Sequence, residues 1–182
     1  DLLNDSTGFI TGENDAVFKT KDYGESWRAL QDIPAITAGN QAKKIFFIDE
    51  LHGFAGTDRI SKTSNGGNSW TVTTLPGTGS QYIPIQMFFY DTLIGFVQNA
   101  NNLYKTTNGG NSWTNVAMPI NGSFYRDVAF TKNGKGFAVG YAGKMQVSTD
   151  SGTTWAPFNL LNTTKYLTGV YFYYDNLGFI GT

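Results

Sequence analysis

The stretch TSNGGNSW, Thr63 to Trp70, is one of four copies of a single pattern. The other copies are TKDYGESW (Thr20 to Trp27), TTNGGNSW (Thr106 to Trp113) and STDSGTTW (Ser148 to Trp155). All four follow [ST]-x-[DN]-x-G-x-[ST]-W and contain every tryptophan of the chain, at spacings of 43, 43 and 42 residues. A fixed period of this length indicates that the chain is built from structural repeats.

A second landmark, Gly-Phe, precedes each copy and occurs once more near the end of the sequence. Its positions are Gly8-Phe9, Gly53-Phe54, Gly95-Phe96, Gly136-Phe137 and Gly178-Phe179. Aromatic and β-branched runs precede the last four of these and are typical of buried strands. Each unit therefore predicts four short antiparallel strands, A to D. In the second unit we expect them at residues 44–48, 53–57, 59–63 and 70–74.

Four strands every ~43 residues match the period of a β-propeller blade. The composition agrees, because 22 Gly, 14 Phe and 10 Tyr suit short strands joined by tight turns. We therefore expect an all-β propeller of four-stranded antiparallel blades, as one segment over residues 1–182. The predicted units are 1–42, 43–82, 83–124, 125–166 and a partial unit, 167–182.

The repeated motif, called the box below, has a structural interpretation as the turn between strands C and D. Its Asp or Asn is expected to accept backbone N–H bonds two residues on, and its Gly to adopt a conformation that other residues resist. Its Trp is expected to open strand D and to bury its ring between blades. The residues assigned to these structural roles are Asp22, Trp27, Asn65, Trp70, Asn108, Trp113, Asp150 and Trp155. Asp5, Asp49, Asp91 and Asp175 are expected to form the turns between strands A and B.

The four boxes resemble the Asp-box, or bacterial neuraminidase (BNR), repeats of β-propellers. The second and third units also contain F-F-x-D-x-x-x-G-F and K-T-[ST]-N-G-G-N-S-W, and so resemble the repeats of photosystem II stability and assembly factor-like proteins. The Asp-box occurs in sialidases, xyloglucanases, sortilin-type receptors and non-enzymatic assembly factors, so the resemblance implies the fold more firmly than an activity. It also implies an exported bacterial protein, in the periplasm, at the cell surface or secreted.

Composition and charge disfavour several classes of function. The formal net charge is −1 and only 15% of residues are charged, so we expect no binding to nucleic acid. The chain has no cysteine, and His52 is its only histidine, so we expect no metal site and no cofactor. We also expect no membrane span, since no apolar run approaches the ~18 residues that one requires.

The arrangement of charged side chains does not single out a catalytic site. Arg28, Arg59 and Arg126 occupy different strand positions, whereas a sialidase would need three converging arginines. Inverting glycoside hydrolases need a carboxylate pair, for which Asp15, Asp58 and Asp127 are the candidates of most interest after the turn residues are set aside. His52 is interpreted as a solvated turn residue. We assign no catalytic residue, and membership of a carbohydrate-active enzyme remains the alternative.

Candidate binding residues lie in the connections that vary between units, from D to the next A and from B to C. They are Asp58, Arg59, Tyr82, Asn99, Phe124, Tyr125, Arg126, Asp127, Tyr141 and Tyr166. Aromatic rings beside amides suit a protein or a carbohydrate partner, although rings that only fill blade interfaces would look the same. The sequence thus favours a non-catalytic binding or assembly scaffold.

The two ends of the sequence fall inside predicted blades. A closed four-bladed ring would contain strand B of the shared blade twice, as residues 8–12 and 178–182. One copy would leave an unpaired edge, which folded proteins avoid. We therefore expect a part of a larger propeller, completed by missing blades or by self-association, with a closed four-bladed ring as the alternative.

Overall fold

The fold is described from a computed structural model. It describes residues 2–12, 16–30, 32–34, 44–57, 59–77, 86–99, 102–119, 125–158 and 164–182. Within these ranges the regular structure is nearly all β, with one short 3₁₀ turn at Tyr141–Gly143.

The strands form consecutive sheets in which neighbours in sequence are neighbours in space. The first sheet contains β1 (Gly8–Thr11), β2 (Val17–Thr20) and β3 (Arg28–Ala29). The second contains β4 (Lys44–Phe47), β5 (Gly53–Gly56), β6 (Ile60–Thr63) and β7 (Thr71–Thr73). The third contains β8 (Gln86–Phe89), β9 (Gly95–Gln98), β10 (Leu103–Thr106) and β11 (Thr114–Val116). The fourth contains β12 (Tyr125–Phe130), β13 (Gly136–Gly140), β14 (Met145–Ser148) and β15 (Ala156–Pro157). A final antiparallel pair contains β16 (Gly169–Tyr174) and β17 (Leu177–Gly181).

The strands predicted for the second unit are confirmed to within a residue or two at each end. Three sheets have four strands, and the second and fourth are antiparallel at every pairing. The middle strand β5 is buried along its whole length, as expected of a strand with neighbours on both sides. The all-β prediction with four-stranded blades is therefore confirmed.

The Gly-Phe landmark has a packing reason that the sequence analysis did not identify. In the second sheet, Phe47 on β4 pairs with Gly53 on β5, and the Phe47 ring lies across the glycine. A Cβ added at Gly53 would lie 2.6 Å from that ring, and one added at Gly95 would lie 2.1 Å from Phe89. At Gly53, Gly95, Gly136 and Gly178 the landmark glycine thus provides the space that holds an aromatic side chain of strand A.

The chain divides into two compact units. Unit 1 comprises Asp1–Val97 with Thr106–Thr114, and unit 2 comprises Gln98–Lys105 with Asn115–Thr182. One buried cluster of unit 1 contains Phe9, Val17, Ile33, Ile45, Phe47 and Ala55. One buried cluster of unit 2 contains Val139, Met145, Leu167 and Val170.

The box is a tight turn in all four units, but its hydrogen bonds differ from the prediction. The side chain of Asp22 accepts the backbone N–H of Ser26, four residues on rather than two, at 3.0 Å. Asn65 likewise accepts the N–H of Ser69, at 2.9 Å. This longer offset is explained by the first residue of the box, for which no role was predicted. The Ser or Thr that begins each box accepts the N–H of the box glycine, as Thr63 does from Gly67 at 2.9 Å.

The box glycine has the left-handed conformation that was expected. Gly24, Gly67, Gly110 and Gly152 have φ between 71° and 86°. The residue before it is left-handed as well, and in the second and third boxes this residue is also a glycine, Gly66 or Gly109. The first and fourth boxes place Tyr23 (φ 63°) and Ser151 (φ 54°) there, at a cost in backbone strain.

The turns between strands A and B confirm the predictions in part. Asp49 accepts the N–H groups of Leu51 and His52, both at 2.7 Å, and Asp91 makes the equivalent bonds. In the first unit, however, the acceptor is Asn4, not Asp5, because Asn4 lies four residues before its landmark glycine, as Asp49 and Asp91 do. Asp175 accepts the backbone N–H of Lys132 instead, at 2.6 Å.

The box tryptophans pack against the last aromatic residue of strand A in three units. Trp70 meets Phe47 edge to face, and Trp113 and Trp155 do the same with Phe89 and Phe130. Trp113 and Trp155 are buried, and Trp70 is partly buried. Trp27 departs from the prediction of equivalent packing, because 38% of it is exposed.

Candidate functional site

Three of the predicted binding residues come together in unit 2. The guanidinium carbon of Arg126, on β12, lies 4.7 Å from the centroid of the Tyr141 ring, and its Nη2 donates to the Tyr141 hydroxyl. The ring of Tyr166 meets that of Tyr141 edge to face, with centroids 4.8 Å apart and planes at 85°. We call Arg126, Tyr141 and Tyr166 the Arg126 platform.

Local backbone geometry places the two tyrosines of the platform side by side. Tyr141 begins the 3₁₀ turn, which reverses at Ala142 with φ 55° and lets Lys144 donate its N–H to the Tyr141 carbonyl at 3.1 Å. The N–H of Gly143 donates to the carbonyl of Lys165 at 2.8 Å. The fully buried Leu167 donates its N–H to the carbonyl of Gly140 at 3.0 Å. These last two hydrogen bonds hold the segment that contains Tyr166 alongside the turn.

The platform combines exposed aromatic surface with positive charge. Arg126 is exposed, and 61% of Tyr166 is accessible. The lysines that flank the two tyrosines in the chain, Lys144 and Lys165, are also exposed. The guanidinium stacks on a ring, and the Arg126 side chain is exposed. Because the stacking already holds the guanidinium in place, a ligand that binds it would restrict its motion only slightly further. The arrangement can bind a planar anionic group such as a carboxylate.

Asp127, next to Arg126, is bound into the backbone. Its Oδ1 accepts the N–H of Val128 at 2.9 Å, and its Oδ2 accepts the N–H of Val170, also at 2.9 Å. The carboxylate therefore fastens β12 to β16, and both of its oxygens are occupied by backbone donors. The same chemistry limits its use as a general acid or base, because each proton transfer would disrupt one of these bonds.

Tyr125 and Asn99 are buried, so the structure does not place them at the surface beside the platform. The carbonyl of Tyr125 accepts from Gln98 Nε2 at 2.6 Å, and its hydroxyl accepts from Gln146 Nε2. Burial raises the pKa of Tyr125 to about 12. Asn99 accepts the N–H of Asn102 at 2.8 Å and shapes the turn from B to C.

Among the remaining predicted residues, the structure describes only Arg59. Arg59 belongs to unit 1, where its N–H donates to the Thr57 hydroxyl at 3.3 Å just before β6. Asp58, Tyr82 and Phe124 lie outside the described residues.

A row of lysines forms the main polar feature that the sequence analysis missed. Lys62 and Lys105 each precede the Thr of a box on strand C, and their ammonium groups reach the next box along the chain. The equivalent Lys19 instead donates to Glu50 in the turn between strands A and B. Lys62 Nζ donates to the carbonyl of Gly109 at 2.9 Å and to Asn111 Oδ1 at 2.6 Å. Lys105 Nζ donates to the carbonyl of Ser151 at 2.8 Å and to a neighbouring hydroxyl. The recurring K-T at the start of the box was the available signal.

Two clefts in unit 1 lie beside these lysines. The larger, of about 430 Å³, is lined by Lys19, Lys21, Arg28 and Glu50 among others. Glu50 Oε2 lies 2.8 Å from Lys21 Nζ and 3.4 Å from Lys19 Nζ, and the bond and charge of Lys21, with a contribution from Lys19, lower the pKa of Glu50. The Glu50 carboxylate therefore neutralises part of the positive charge of this cleft.

The second cleft, of about 280 Å³, is lined in part by His52, the only histidine. His52 Nδ1 lies 2.8 Å from Asp49 Oδ2, so this partly exposed turn residue is also paired within its own turn. Within the described ranges, no group of three or more His, Asp or Glu side chains is arranged to hold a metal ion. In the same ranges, no helix is long and apolar enough to cross a membrane.

Comparison with known proteins gives matches at the level of structure. YCF48 from Cyanidioschyzon merolae superimposes with a TM-score of 0.74 at 18% identity, over 96% of this chain and 60% of that one. A structure of YCF48 bound to a D1 peptide matches with a TM-score of 0.68 at 18% identity, over 93% of this chain and 54% of that one. The chain has a β-propeller fold. No protein-family model matches the chain, and neither does any curated protein.

Propeller enzymes are similar to this chain as well. The GH74 xyloglucanase from Xanthomonas campestris matches with a TM-score of 0.72 at 14% identity, over 94% of this chain and 33% of the enzyme. The chain thus spans less than two thirds of each of these proteins. At these identities the likeness shows the fold, which assembly factors and hydrolases share.

Proposed function

We propose that the chain is a non-catalytic binding scaffold and that it binds a segment of a partner protein at the Arg126 platform. The geometry of the platform is the observation that carries the proposal. An arginine stacked on the partly exposed Tyr141, beside the exposed Tyr166, provides both aromatic contact area and a fixed hydrogen-bond donor. Arginine and tyrosine are among the residues that dominate binding energy at protein interfaces. A carboxylate in the partner is the complementary group.

The likeness to YCF48 bound to a D1 peptide supports a protein partner, because YCF48 has a similar fold and its structure contains a bound peptide. The resemblance of the second and third units to photosystem II assembly factor-like repeats points in the same direction. We also propose that the boxes are Asp-boxes in the family sense and that the protein is an exported bacterial one. The family resemblance and the low charge of the chain support these two assignments.

The proposal is tested by selecting binders from a displayed library of random peptides and, in parallel, from a glycan array. We expect peptides that contain Asp or Glu, and a loss of affinity of about tenfold or more in Arg126→Ala, which corresponds to about 1.4 kcal/mol. Arg28→Ala is the matched control, because Arg28 is exposed on β3 of unit 1. Binding that is unchanged in Arg126→Ala would contradict the proposal, and so would glycan binding without peptide binding.

A second candidate function is part of a carbohydrate-active enzyme, and the likeness to the GH74 xyloglucanase favours it. The two residues to test are Asp58 and Asp127. Hydrolysis of xyloglucan by the chain that is lost in Asp127→Ala or Asp58→Ala would support this candidate. Because both oxygens of Asp127 accept backbone N–H groups, we expect no such hydrolysis from Asp127.

A further inference from the structure

Arg126 is the extra residue of a β-bulge in the fourth sheet. Tyr125 on β12 pairs with Gly140 on β13, and Asp127 pairs with Val139, so the register of the two strands skips Arg126. An extra residue of this kind bends its strand and gives its side chain a direction that a regular strand would not. Bulges are frequent next to functional sites, where they re-aim a side chain.

The bulge exchanges the faces of two neighbouring side chains. Val128 and Phe130 are buried, and a regular strand that alternates from them would bury residue 126 and expose residue 125. The structure has the reverse arrangement, because Tyr125 is 4% exposed and Arg126 is exposed. Tyr125 thus fills the core position that regular alternation assigns to Arg126. The register without a bulge would bury the guanidinium instead, which is costly unless the charge is paired.

Two buried glutamines hold Tyr125, one at its main chain and one at its side chain. Gln98, the last residue of β9, donates from Nε2 to the Tyr125 carbonyl at 2.6 Å. Gln146, on β14, donates from Nε2 to the Tyr125 hydroxyl. All three residues belong to unit 2 and are buried. The residue before Arg126 is therefore fixed in the core by amides from two different strands.

The residue after Arg126 is fixed as well. Asp127 Oδ2 accepts a backbone N–H of β16 at 2.9 Å. Across the bulge, Gly140 is the partner of Tyr125 and comes directly before Tyr141. With both of its neighbours held, Arg126 is presented at the end of β13, where its guanidinium carbon lies 4.7 Å from the centroid of the Tyr141 ring.

We propose that Tyr125 is a positioning residue for the Arg126 platform. Held in the core by its two glutamine partners, it fixes the bulge that turns the Arg126 guanidinium onto Tyr141. Tyr125 acts through Arg126, because its own ring is buried, and it sets the affinity of the platform for a carboxylate. The inference rests on the proposed function, since the platform is the binding site proposed above. The position of Arg126, however, can be measured with no partner present.

NMR spectroscopy of the free chain measures that position. The ring current of Tyr141 shifts the signals of protons stacked on it, so the Nε–H and Cδ–H signals of Arg126 report the stacking. Tyr125→Phe keeps the ring but takes the hydroxyl acceptor from the buried Gln146 amide. Gln98→Leu removes the donor to the Tyr125 carbonyl. In both variants we expect the Arg126 signals to move towards those of an unstacked arginine.

The affinity for an acidic peptide from the displayed library should decline in parallel. We expect a loss of about threefold to tenfold in each variant, the size that the loss of one hydrogen bond gives. The double variant Tyr125→Phe, Gln146→Leu is the rescue, because it replaces both partners of the bond by apolar groups and leaves no buried amide unpaired. Its Arg126 signals and its affinity should return towards those of the wild type.

Trp155→Phe is the matched control, because it removes another buried hydrogen bond of the same sheet, from Trp155 Nε1 to the Gly152 carbonyl at 3.3 Å. Trp155 packs on Phe130, at the opposite end of β12 from Arg126. This variant should leave the Arg126 signals and the peptide affinity unchanged.

Arg126 signals that remain as in the wild type in both Tyr125→Phe and Gln98→Leu would overturn the positioning role. An equal change in Trp155→Phe would overturn it too, because the effect would then be a general loosening of the sheet. If the wild-type chain binds no acidic peptide, the proposed function fails, and the Arg126 signals of the free chain still decide whether Tyr125 positions the guanidinium.

Discussion

At the scale of single residues, the box shows how Asp and Asn fill one structural position with different electrostatics. The Ser26 hydroxyl and N–H and the Thr20 hydroxyl donate to Asp22, and these bonds lower its pKa to about 2. Thr154 and Ser148 likewise lower the pKa of Asp150. Asn65 holds the same turn without a charge, because its amide N–H donates to Ser69 Oγ at 2.8 Å.

The first and fourth boxes should therefore lose stability in acid, whereas the second and third should not. A group with a depressed folded-state pKa stabilises the protein above its unfolded-state pKa, here near 3.8, and that contribution disappears as the pH falls towards about 2. In Asp22→Asn, we expect the free energy of unfolding to decline less between pH 4 and 2 than in the wild type. Urea unfolding at several pH values measures this slope.

Asp32→Asn is the control for that experiment, because Asp32 is an exposed carboxylate outside the boxes. Its slope should remain that of the wild type. Equal slopes for Asp22→Asn and the wild type would show that the Ser26 bonds do not stabilise the carboxylate in solution.

Residue roles were predictable where the repeat constrains them and not elsewhere. The left-handed glycines of the box follow from the spacing of the motif alone. The acceptor of the first turn also follows from spacing, because Asn4 lies four residues before its landmark glycine, and the prediction failed because it aligned Asp5 with Asp49. The offset of four residues in the box bonds was also missed, since the hydroxyl of Thr20, Thr63 or their equivalents takes the nearer N–H.

At the scale of strands and turns, the Gly-Phe landmark is a packing device. At Gly136 an added Cβ would lie 2.5 Å from Phe130 and 2.9 Å from Trp155, both of which are buried rings with no room to move. We expect Gly136→Ala to lower the free energy of unfolding by about 1–3 kcal/mol through overpacking, measured by urea denaturation. Gly169→Ala on β16 is the control, because its added Cβ meets its nearest neighbour at an ordinary 3.6 Å. Equal effects at the two sites would contradict the packing explanation.

Lys62 on strand C of the second sheet donates to the next box along the chain, and this contact is also open to test. Lys62→Met keeps most of the apolar stem but removes the charged donor from Gly109 and Asn111. We expect a loss of about 1–2 kcal/mol in the free energy of unfolding, since hydrogen bonds to charged groups contribute this much. The matched change Lys132→Met, at an exposed turn lysine, should have almost no effect. A Lys62→Met chain as stable as the wild type would show that the bridge contributes nothing net.

The strands themselves were predictable because each recurs in phase with the box. The bounds of β4 to β7 were predicted closely because the aromatic run, the landmark and the box constrain the second unit from both sides. The lysine bridges were not predicted, because a lysine on a strand gives no sign in the sequence of which carbonyl its ammonium will reach.

At the scale of the whole molecule, the repeat makes a scaffold and the departures from the repeat make the candidate site. Arg126, Tyr141 and Tyr166 are distant in sequence, so only the fold of unit 2 brings them together. The sequence identified all three as candidates from the variable connections. It could not separate them from Tyr125, which burial removes from the surface.

The most direct test of the binding proposal is an NMR titration of the ¹⁵N-labelled chain with an acidic peptide obtained from the displayed library. We expect the largest amide shifts on Arg126, on the turn Tyr141–Gly143 and on Tyr166, and we expect these shifts to disappear in Arg126→Ala. Shifts concentrated instead at the cleft of Lys21 and Glu50, or shifts that persist in Arg126→Ala, would contradict it.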